Sequence, residues 1–417
     1  MRIRARLAAA LFILTAGALA FGNGLSLNGL GSRAQTMGGA YVALASDSSS
    51  IFWNPAGLAR TTGKTFGFCA ADVLPRGTYV YETAVDAKTL VKNYLTGMAA
   101  YAQPVSSRLV LGVGIFAPSG LGIAWDGAAL GAISGGSSTM EWSNKIGLVT
   151  LAPSAAYRIS NKLSVGASLN FSLGSMALST YAGSYGGLVD LGQYSETESG
   201  FGLGATFGVQ CQPHPMVRLG LAYRTATRIK MSGRAEISIL EYMGLPGESD
   251  VERTFTWPAW LAGGLAFMPN DRLTVSADVH YTNWAKVQSI DASFEDSLWV
   301  QLMAAAGRDS TPTLWRDAVQ VRLGAEYKVS PALAVRGGWY SDPSPVPDET
   351  MGLLLAGFDF NVLTFGLGYQ VKDLSLDFGL EYLMGAKRTI ASGQPDATPG
   401  VYGMKALVPT MSVHYKF

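Results

Sequence analysis

Apolar and polar residues alternate with a period of two along much of this chain. Residues 374–382 carry apolar side chains at every even position, with Asp377 and Glu381 on the opposite face. Residues 273–281 follow the same rule, with apolar odd positions and Asp278 on the polar face. Such alternation is typical of β-strands whose two faces meet different surroundings. The pattern therefore predicts an all-β fold.

Short turns and long loops separate the predicted strands in strict succession. The short connectors are rich in Pro, Asn, Asp and Ser, which favour turns, and the long ones are rich in Gly and Ser. Six short and seven long connectors predict about 14 antiparallel strands in the pattern of an outer-membrane barrel. The short connectors are residues 103–108, 158–162, 212–216, 268–272, 328–332 and 370–373, and the long ones are 73–93, 118–144, 181–196, 232–250, 286–314, 342–360 and 385–405.

The composition points to a membrane as one of the two surroundings. Hydrophobic residues make up 48% of the 417 residues and charged residues 15%, which excludes a disordered chain. After Phe21, however, no run approaches the roughly 20 apolar residues of a membrane-spanning helix; one of the longest is 351–358. A transmembrane antiparallel β-barrel disperses its apolar residues by alternation and leaves no strand edge unpaired.

Both ends of the chain carry signals of export. Three arginines among the first six residues precede an apolar stretch and a small-x-small site at 18–20. This predicts a secretory signal peptide over residues 1–20. The last strand alternates up to the terminal Phe417, which resembles the assembly signal of bacterial outer-membrane barrels. We therefore expect the outer membrane of a Gram-negative-type bacterium, with its lipids and the barrel assembly machinery as partners.

The remaining composition excludes several classes of function. The net charge of +1 indicates no nucleic-acid partner. Cys69, Cys211 and three histidines are too few for a disulfide framework or a spaced metal site. Two loose glycine fingerprints lie outside any strand–turn–helix unit. We therefore predict no metal and no cofactor, with both cysteines as plain wall residues.

Residues 21–62 precede the predicted barrel, residues 63–417, and do not alternate. Pro55 disfavours the helical region for the preceding residue, so a short helix is expected to end at Asn54, whose amide is then free to bond neighbouring backbone, including wall backbone exposed at a strand kink. A barrel of this width exceeds one that its own side chains fill. The segment is therefore predicted to plug the lumen. Its candidate gating residues are Gly38, Gly39, Asn54, Pro55, Ala56 and Gly57.

These motifs resemble the N-terminal hatch of the FadL/TodX outer-membrane transporter family. Further stretches are similar to other parts of that family, and the likeness spans essentially the whole mature chain; they are residues 278, 281–282, 284, 315–317, 322–327, 336–340 and 342–345. The resemblance implies a barrel plugged by the hatch and passive uptake of long-chain fatty acids or other hydrophobic molecules. It further implies capture among outer loops, an inner apolar site, and sideways release near a kinked third strand. It identifies no substrate-contacting residue here.

Two further sets of residues carry predictions. Gly112 and Gly114 lie in the predicted third strand, and because glycine often marks a bulge, they are candidates for the lateral opening. Charged residues in the polar phase of their strands are expected to face the lumen and form paired networks. They are Asp278, Arg322, Glu326, Arg336, Asp377 and Glu381.

Two other functions fit parts of the sequence. A general diffusion porin needs an open polar channel, against which the apolar N-terminal segment argues. An outer-membrane lipid hydrolase could begin from Asp278 and His280, which share a strand face, but no nucleophile motif accompanies them. We therefore predict a channel that is not an enzyme. Acyl chains, alkanes and small aromatics would all suit its apolar pocket.

Overall fold

Fourteen antiparallel strands close into one barrel, as predicted. The computed structural model describes residues 22–134, 140–185 and 189–417, so the predicted signal peptide lies outside the described residues. The barrel strands are β1 (Thr65–Tyr81), β2 (Tyr94–Pro104), β3 (Leu109–Trp125), β4 (Trp142–Arg158), β5 (Leu163–Tyr181), β6 (Gln193–His214), β7 (Val217–Arg224 and Thr227–Ile237), β8 (Glu248–Trp257 and Trp260–Phe267), β9 (Leu273–Thr282 and Ser289–Phe294), β10 (Ser310–Pro312 and Ala318–Lys328), β11 (Leu333–Asp342), β12 (Phe360–Val371), β13 (Leu374–Gly385 and Arg388–Ile390) and β14 (Gly400–Lys416).

Each barrel strand pairs with the next, and β14 returns to pair with β1 from Lys416–Thr65 to Val401–Val80. Short turns lie at one end of the barrel, here called the turn end, and long loops lie at the other, the loop end. Several strands reach further into the predicted loops than the turn residues suggested: β1 runs to Tyr81, whereas a loop was expected from residue 73. The loops carry the short strands Val85–Lys88, Ser184–Tyr185 and Val189–Asp190.

The two faces of the wall differ as the alternation requires. In β12, Leu363, Phe365 and Leu367 are exposed on the outside of the barrel, whereas Val362 and Thr364 point inward and are fully buried. A wall with apolar side chains outside suits a lipid environment. Cys69 and Cys211 are wall residues without a disulfide.

Helices are few and short in the part of the chain that the structure describes. In the N-terminal segment they are Ser32–Thr36, Ser50–Trp53 and the 3-10 helix Pro55–Arg60; in the loops they are Gly127–Ile133, Ser238–Tyr242, Trp284–Lys286, Ser297–Ala305 and Asp348–Thr350. Within the described ranges, none of these helices has the length and apolarity needed to cross a bilayer.

The N-terminal segment packs inside the barrel, as predicted. It is called the hatch below. Its apolar side chains form a core with the inward-facing side of the wall, in which Ile51, Phe52 and Leu58 lie against Met98 and Phe116. Trp53 is buried too, and its indole donates a hydrogen bond to the Leu30 carbonyl within the hatch (2.7 Å).

Candidate functional site

Asn54 ties the hatch to the wall. Its backbone is extended (φ −162°), so the helix Ser50–Trp53 ends there and Pro55 begins the next. The side-chain Nδ2 donates to the carbonyls of Val42 at 3.0 Å and Val209 at 3.1 Å. The Oδ1 accepts from the Ala56 amide at 3.2 Å. Asn54 therefore joins two turns of the hatch to β6.

The wall beside Asn54 is regular, which corrects one detail of the sequence analysis. We expected the amide to bond backbone exposed at a strand kink. Instead, Val209 of β6 pairs in register with Leu221 of β7, and Asn54 also reaches the Leu221 carbonyl, at 3.4 Å. Carbonyls on the inner surface of a regular sheet thus remain reachable, because the neighbouring wall positions carry no side chain.

Wall glycines make that close approach possible. A Cβ atom on Gly208 would lie 2.0 Å from the Asn54 Oδ1, and one on Gly220 would lie 2.4 Å from the Val42 carbonyl oxygen. One on Gly324 would lie 2.2 Å from the Met37 carbonyl oxygen. Similar crowding occurs at Gly166, Gly338, Gly366 and Gly379. The hatch backbone is therefore seated directly on a belt of wall glycines.

Gly38 and Gly39 form the turn that meets β10. Both have positive φ (64° and 68°), a region that glycine occupies without strain. The Arg322 Nη1 donates to the Gly38 carbonyl at 3.1 Å, and a Cβ atom on Gly39 would lie 2.1 Å from that nitrogen. In the lower hatch, a Cβ atom on Gly57 would lie 2.2 Å from the Ala45 carbonyl oxygen. Gly38, Gly39 and Gly57, three of the predicted gating residues, thus lie where an added Cβ atom would collide with neighbouring atoms.

The lumen charges fall into two sets rather than one network. In the first set, Arg336 binds Glu326 and Asp377, each at 2.6 Å. Glu326 also receives two hydrogen bonds of 2.9 Å from Arg33 of the hatch. These residues form a continuous chain of ion pairs, of which Arg33 alone is appreciably open to solvent.

The second set bonds to the hatch. Asp278 accepts from the Val42 amide at 2.8 Å, and Glu381 accepts from Gln35 at 2.6 Å. Arg322 binds the Gly38 carbonyl and lies over the ring of Tyr340, 4.4 Å from its centroid. The expected paired network therefore forms among Glu326, Arg336 and Asp377, whereas Asp278, Arg322 and Glu381 bond groups of the hatch instead of one another.

A further polar cluster holds parts of the hatch together near the turn end. Asp47 accepts from the hydroxyl of Tyr41 at 2.7 Å and from the Ser49 amide at 2.8 Å. Burial alone would raise the pKa of the Asp47 carboxyl, but the electrostatic interaction with His414, the hydrogen bonds from Ser49 and Tyr41, and Arg33 outweigh it, so the pKa is lowered. Asp47 is therefore an anion at neutral pH.

Gly112 and Gly114 do not mark a bulge, which corrects the sequence analysis. Both are paired in register with β2 and with β4. Their missing side chains give room to the hatch, since a Cβ atom on either would lie within 3.4 Å of Ile51. The register of β3 breaks instead between Phe116 and Ser119. Pro118 lies in that break and has no amide hydrogen to donate to a ladder.

The start of the hatch bonds to β3 at this break. Leu27 donates to the Pro118 carbonyl at 3.2 Å, and Gly120 donates to the Leu25 carbonyl at 3.0 Å. Pairing between β2 and β3 ends at Met98 and Phe116, although β2 begins at Tyr94. The wall is thus unpaired between β2 and β3 above this point, next to residues 25–27.

A cavity of about 60 Å³ lies between the hatch and the wall. Its lining combines the aromatic side chains of Phe52, Trp53, Phe116, Trp257 and Trp260 with the polar side chains of Thr150, Asn170, Ser172, Arg224 and His280. A water molecule needs about 10–15 Å³ by this kind of measure, so the cavity holds a few waters rather than a long chain. An elongated ligand requires movement of the hatch or of a loop.

Arg224 is the distinctive group of this cavity. Its Nη2 donates to the Phe52 carbonyl at 2.8 Å, and its guanidinium lies 4.7 Å and 5.2 Å from the ring centroids of Phe52 and Trp260. Its Nε and the nearby Asn170 Oδ1 have no hydrogen-bond partner, and no carboxylate of the described residues pairs with it. Arg224 was not among the predicted site residues. The strand pattern does place its side chain in the lumen, because the preceding residue, Tyr223, faces outward.

Asp278 and His280 do approach each other, at 3.4 Å between Oδ2 and Nε2. His280 is buried, with its ring beside those of Trp53 and Trp260, while the same carboxylate oxygen of Asp278 receives the Val42 amide. The pair therefore serves to line the lumen and hold the hatch.

Comparisons with known proteins agree with this architecture. The family described as outer membrane protein transport protein (OMPP1/FadL/TodX) matches residues 10–417. The long-chain fatty acid transport protein of Escherichia coli (strain K12) is 24% identical over 421 residues, which cover 89% of each chain. Outer membrane protein P1 of Haemophilus influenzae is 24% identical over 334 residues, 73% of this chain and 69% of that one.

Solved structures show the same fold. A FadL homologue of Pseudomonas aeruginosa superposes with a TM-score of 0.77 at 17% identity, covering 94% of this chain and 100% of that one. The toluene transporter TbuX of Ralstonia pickettii gives 0.73 at 23% identity, covering 94% and 99%. Since the family match spans nearly the whole chain, this protein belongs to the OMPP1/FadL/TodX family of bacterial outer-membrane β-barrels, which are non-enzymatic channels for hydrophobic compounds.

Proposed function

We propose that this chain is a passive uptake channel for long-chain fatty acids, with Arg224 as the group that receives the carboxylate. The observation that carries the proposal is a cation that lines the inner cavity, with a buried Nε donor that has no hydrogen-bond partner and with no carboxylate partner among the described residues. A cation held among aromatic rings without an anion is costly. An anionic ligand removes that cost, and charge-assisted hydrogen bonds to carboxylates are among the strong ones.

The aromatic side chains that line the cavity suit the acyl chain of a fatty acid. Each methylene of an acyl chain gains about 0.8 kcal/mol on leaving water. Phe116 and Trp257 offer it an apolar wall close to Arg224. An amphipathic acid thus finds a partner for each of its two parts.

Release requires an opening in the wall, and the break in β3 is the best candidate. In our proposal the outer loops first capture the substrate, which then occupies the cavity and displaces residues 25–27 of the hatch from Pro118 and Gly120. The unpaired stretch between β2 and β3 then opens sideways toward the membrane. Asn54 holds the rest of the hatch while its start moves, so hatch position is coupled to occupancy.

A neutral aromatic substrate is the second candidate. The related TbuX is named as a toluene transporter, and the aromatic side chains that line the cavity would accept the ring of toluene. Arg224 favours the fatty acid, because toluene offers no acceptor to its Nε. A general diffusion porin is disfavoured because the hatch fills the lumen.

We also propose that both ends of the chain direct its export to the outer membrane. Residues 1–20 would direct secretion as a signal peptide, and the last strand, ending at Phe417, would be read by the barrel assembly machinery. Phe417 is exposed at the turn end with its ring against Tyr415, so it is accessible to such a partner.

The test separates the two substrates. We would express wild type, Arg224→Met and Arg224→Lys in a strain without its own fatty-acid channel and measure entry of labelled oleate and labelled toluene. We expect Arg224→Met to lower oleate entry about tenfold and Arg224→Lys to retain part of it, with toluene entry unchanged. The matched control is Arg228→Met, which removes an exposed arginine from the same strand. Equal oleate entry in Arg224→Met and wild type would overturn the proposal.

A further inference from the structure

The loop between β11 and β12, residues 343–359, lies inside the barrel instead of on its surface. It contains the apolar run 351–358, which the sequence analysis noted only for its length. Met351, Leu353 and Phe358 are at most 3% exposed. They belong to the core that fills the loop end of the lumen, together with Tyr79 and Trp125. A loop that reached into solvent would leave these side chains exposed.

The tip of this loop reaches across the lumen. The Trp125 indole donates to the Leu353 carbonyl at 2.9 Å, and the Asn144 side chain donates to the Leu354 carbonyl at 3.0 Å. Trp125 ends β3 and Asn144 lies in β4, and these two strands are five to seven strands away around the ring of 14 from β11 and β12, which carry the loop. The loop therefore spans most of the lumen's width.

The neck of the loop is held differently from its tip. Arg388 of β13 donates to the carbonyls of Val346 at 2.9 Å and Gly357 at 2.7 Å, and it forms an ion pair with Asp348. One guanidinium thus clamps both ends of the loop together. The tip contacts the opposite wall through two neutral hydrogen bonds and apolar packing, both of which a ligand can replace.

We propose that the β11–β12 loop is the outer gate of the channel, whose apolar tip occupies the lumen as an internal substitute for substrate. Substrate enters by displacing the tip from Trp125 and Asn144, while the neck clamped by Arg388 stays closed. An acyl chain that takes the place of the tip keeps the apolar walls covered, so water is excluded during the exchange. This inference rests on the proposed uptake function and adds the step that precedes the inner cavity.

The direct test is a reversible lock on the tip. Asn144→Cys with Leu354→Cys places thiols on the two residues whose side-chain amide and backbone carbonyl now meet, and mass spectrometry reports whether the bridge forms. We expect oleate entry to fall at least tenfold in the oxidised protein and to recover with a reducing agent. Wild type, treated in parallel, controls for Cys69 and Cys211. Equal entry in the bridged and reduced forms would overturn the gate.

A second bridge serves as the matched control. Val346 and Gly357 are neighbours in the neck, because a Cβ atom on Gly357 would lie 2.7 Å from the Val346 Cβ. A disulfide needs about 3.5–4.5 Å between its Cβ atoms, so Val346→Cys with Gly357→Cys bridges the neck after an outward shift of about 1 Å, without tying the tip to the wall. We expect this bridge to leave oleate entry within twofold of wild type. A block as complete as that from the tip bridge would contradict a gate that opens at its tip.

A third variant does not depend on cross-linking. Trp125→Phe with Asn144→Ala removes both donors to the tip while keeping an aromatic ring in place. We expect oleate entry at low concentration to rise severalfold, and an unchanged or lower rate would count against the gate. If the reduced tip-bridge protein and wild type both fail to admit oleate, the proposed function itself fails, and the gate with it.

Discussion

Replacing Asn54 and Pro55 by alanine tests whether the hatch works as a coupled gate. Asn54 is fully buried, and its removal takes hydrogen bonds from the Val42 and Val209 carbonyls and the Ala56 amide. The Val42 carbonyl keeps a second donor, Gln210, at 3.1 Å. The buried Ala56 amide and the partly buried Val209 carbonyl therefore lose this partner, at about 1–3 kcal/mol each.

The hatch should consequently open more often while the barrel stays intact. A loss of about 3 kcal/mol corresponds to roughly 100-fold faster opening-limited hydrogen exchange of the hatch amides. We expect mass spectrometry to show this around Ala56, with unchanged exchange in the strands. Oleate entry should fall severalfold because the hatch no longer follows occupancy. Heat-resistant migration of the folded barrel on a gel should persist.

Asn93→Ala is the control for this experiment. Asn93 is exposed in the first long loop, where it bonds the Asp72 side chain at 2.9 Å, so neither exchange nor entry should change. Normal oleate entry in the double variant would refute the coupling. Loss of the heat-resistant form together with entry would show that the segment only stabilises the barrel.

Other substitutions test single steps of the same reasoning. Gly208→Val should unseat the hatch, because its Cβ atom would meet Asn54, and planar-bilayer recordings should then show increased ion conductance; a closed channel would contradict the glycine belt. Pro118→Ala should allow β3 to pair more fully and lower oleate entry severalfold, whereas unchanged entry would remove the break from the route. Glu326→Gln removes the anion that Arg33 and Arg336 share, at roughly 3–5 kcal/mol for a buried partner. On heating, the hatch amides should lose their protection from hydrogen exchange at a lower temperature than in wild type. An unchanged temperature would make these ion pairs dispensable.

The alternation predicted the barrel because every second residue of a strand meets lipid and the others meet the lumen. That physical difference is local, so Arg322 and Asp377 could be placed on the inner face from their neighbours alone. The roles of Gly112 and Pro118 could not be separated in the same way. Glycine in a strand signals either a bulge or a close approach of another backbone, and only the position of the hatch decides between them.

The candidate site was less accessible to sequence reasoning than the wall. The inward direction of Arg224 follows from alternation, but its lack of a carboxylate partner depends on every residue around the cavity. Likewise, the apolar run 351–358 indicates burial without saying where. Its placement across the lumen depends on contacts with Trp125 and Asn144, more than 200 residues away in sequence.

The most direct test of the central claim is to identify what the purified protein carries. We would extract wild type and Arg224→Met from outer membranes of cells grown with oleate and measure bound ligand by native mass spectrometry. We expect fatty acid bound to wild type at up to one molecule per chain and at least fivefold less bound to Arg224→Met. Wild type that carries no fatty acid, or equal amounts bound to both proteins, would contradict a fatty-acid channel with its inner site at Arg224.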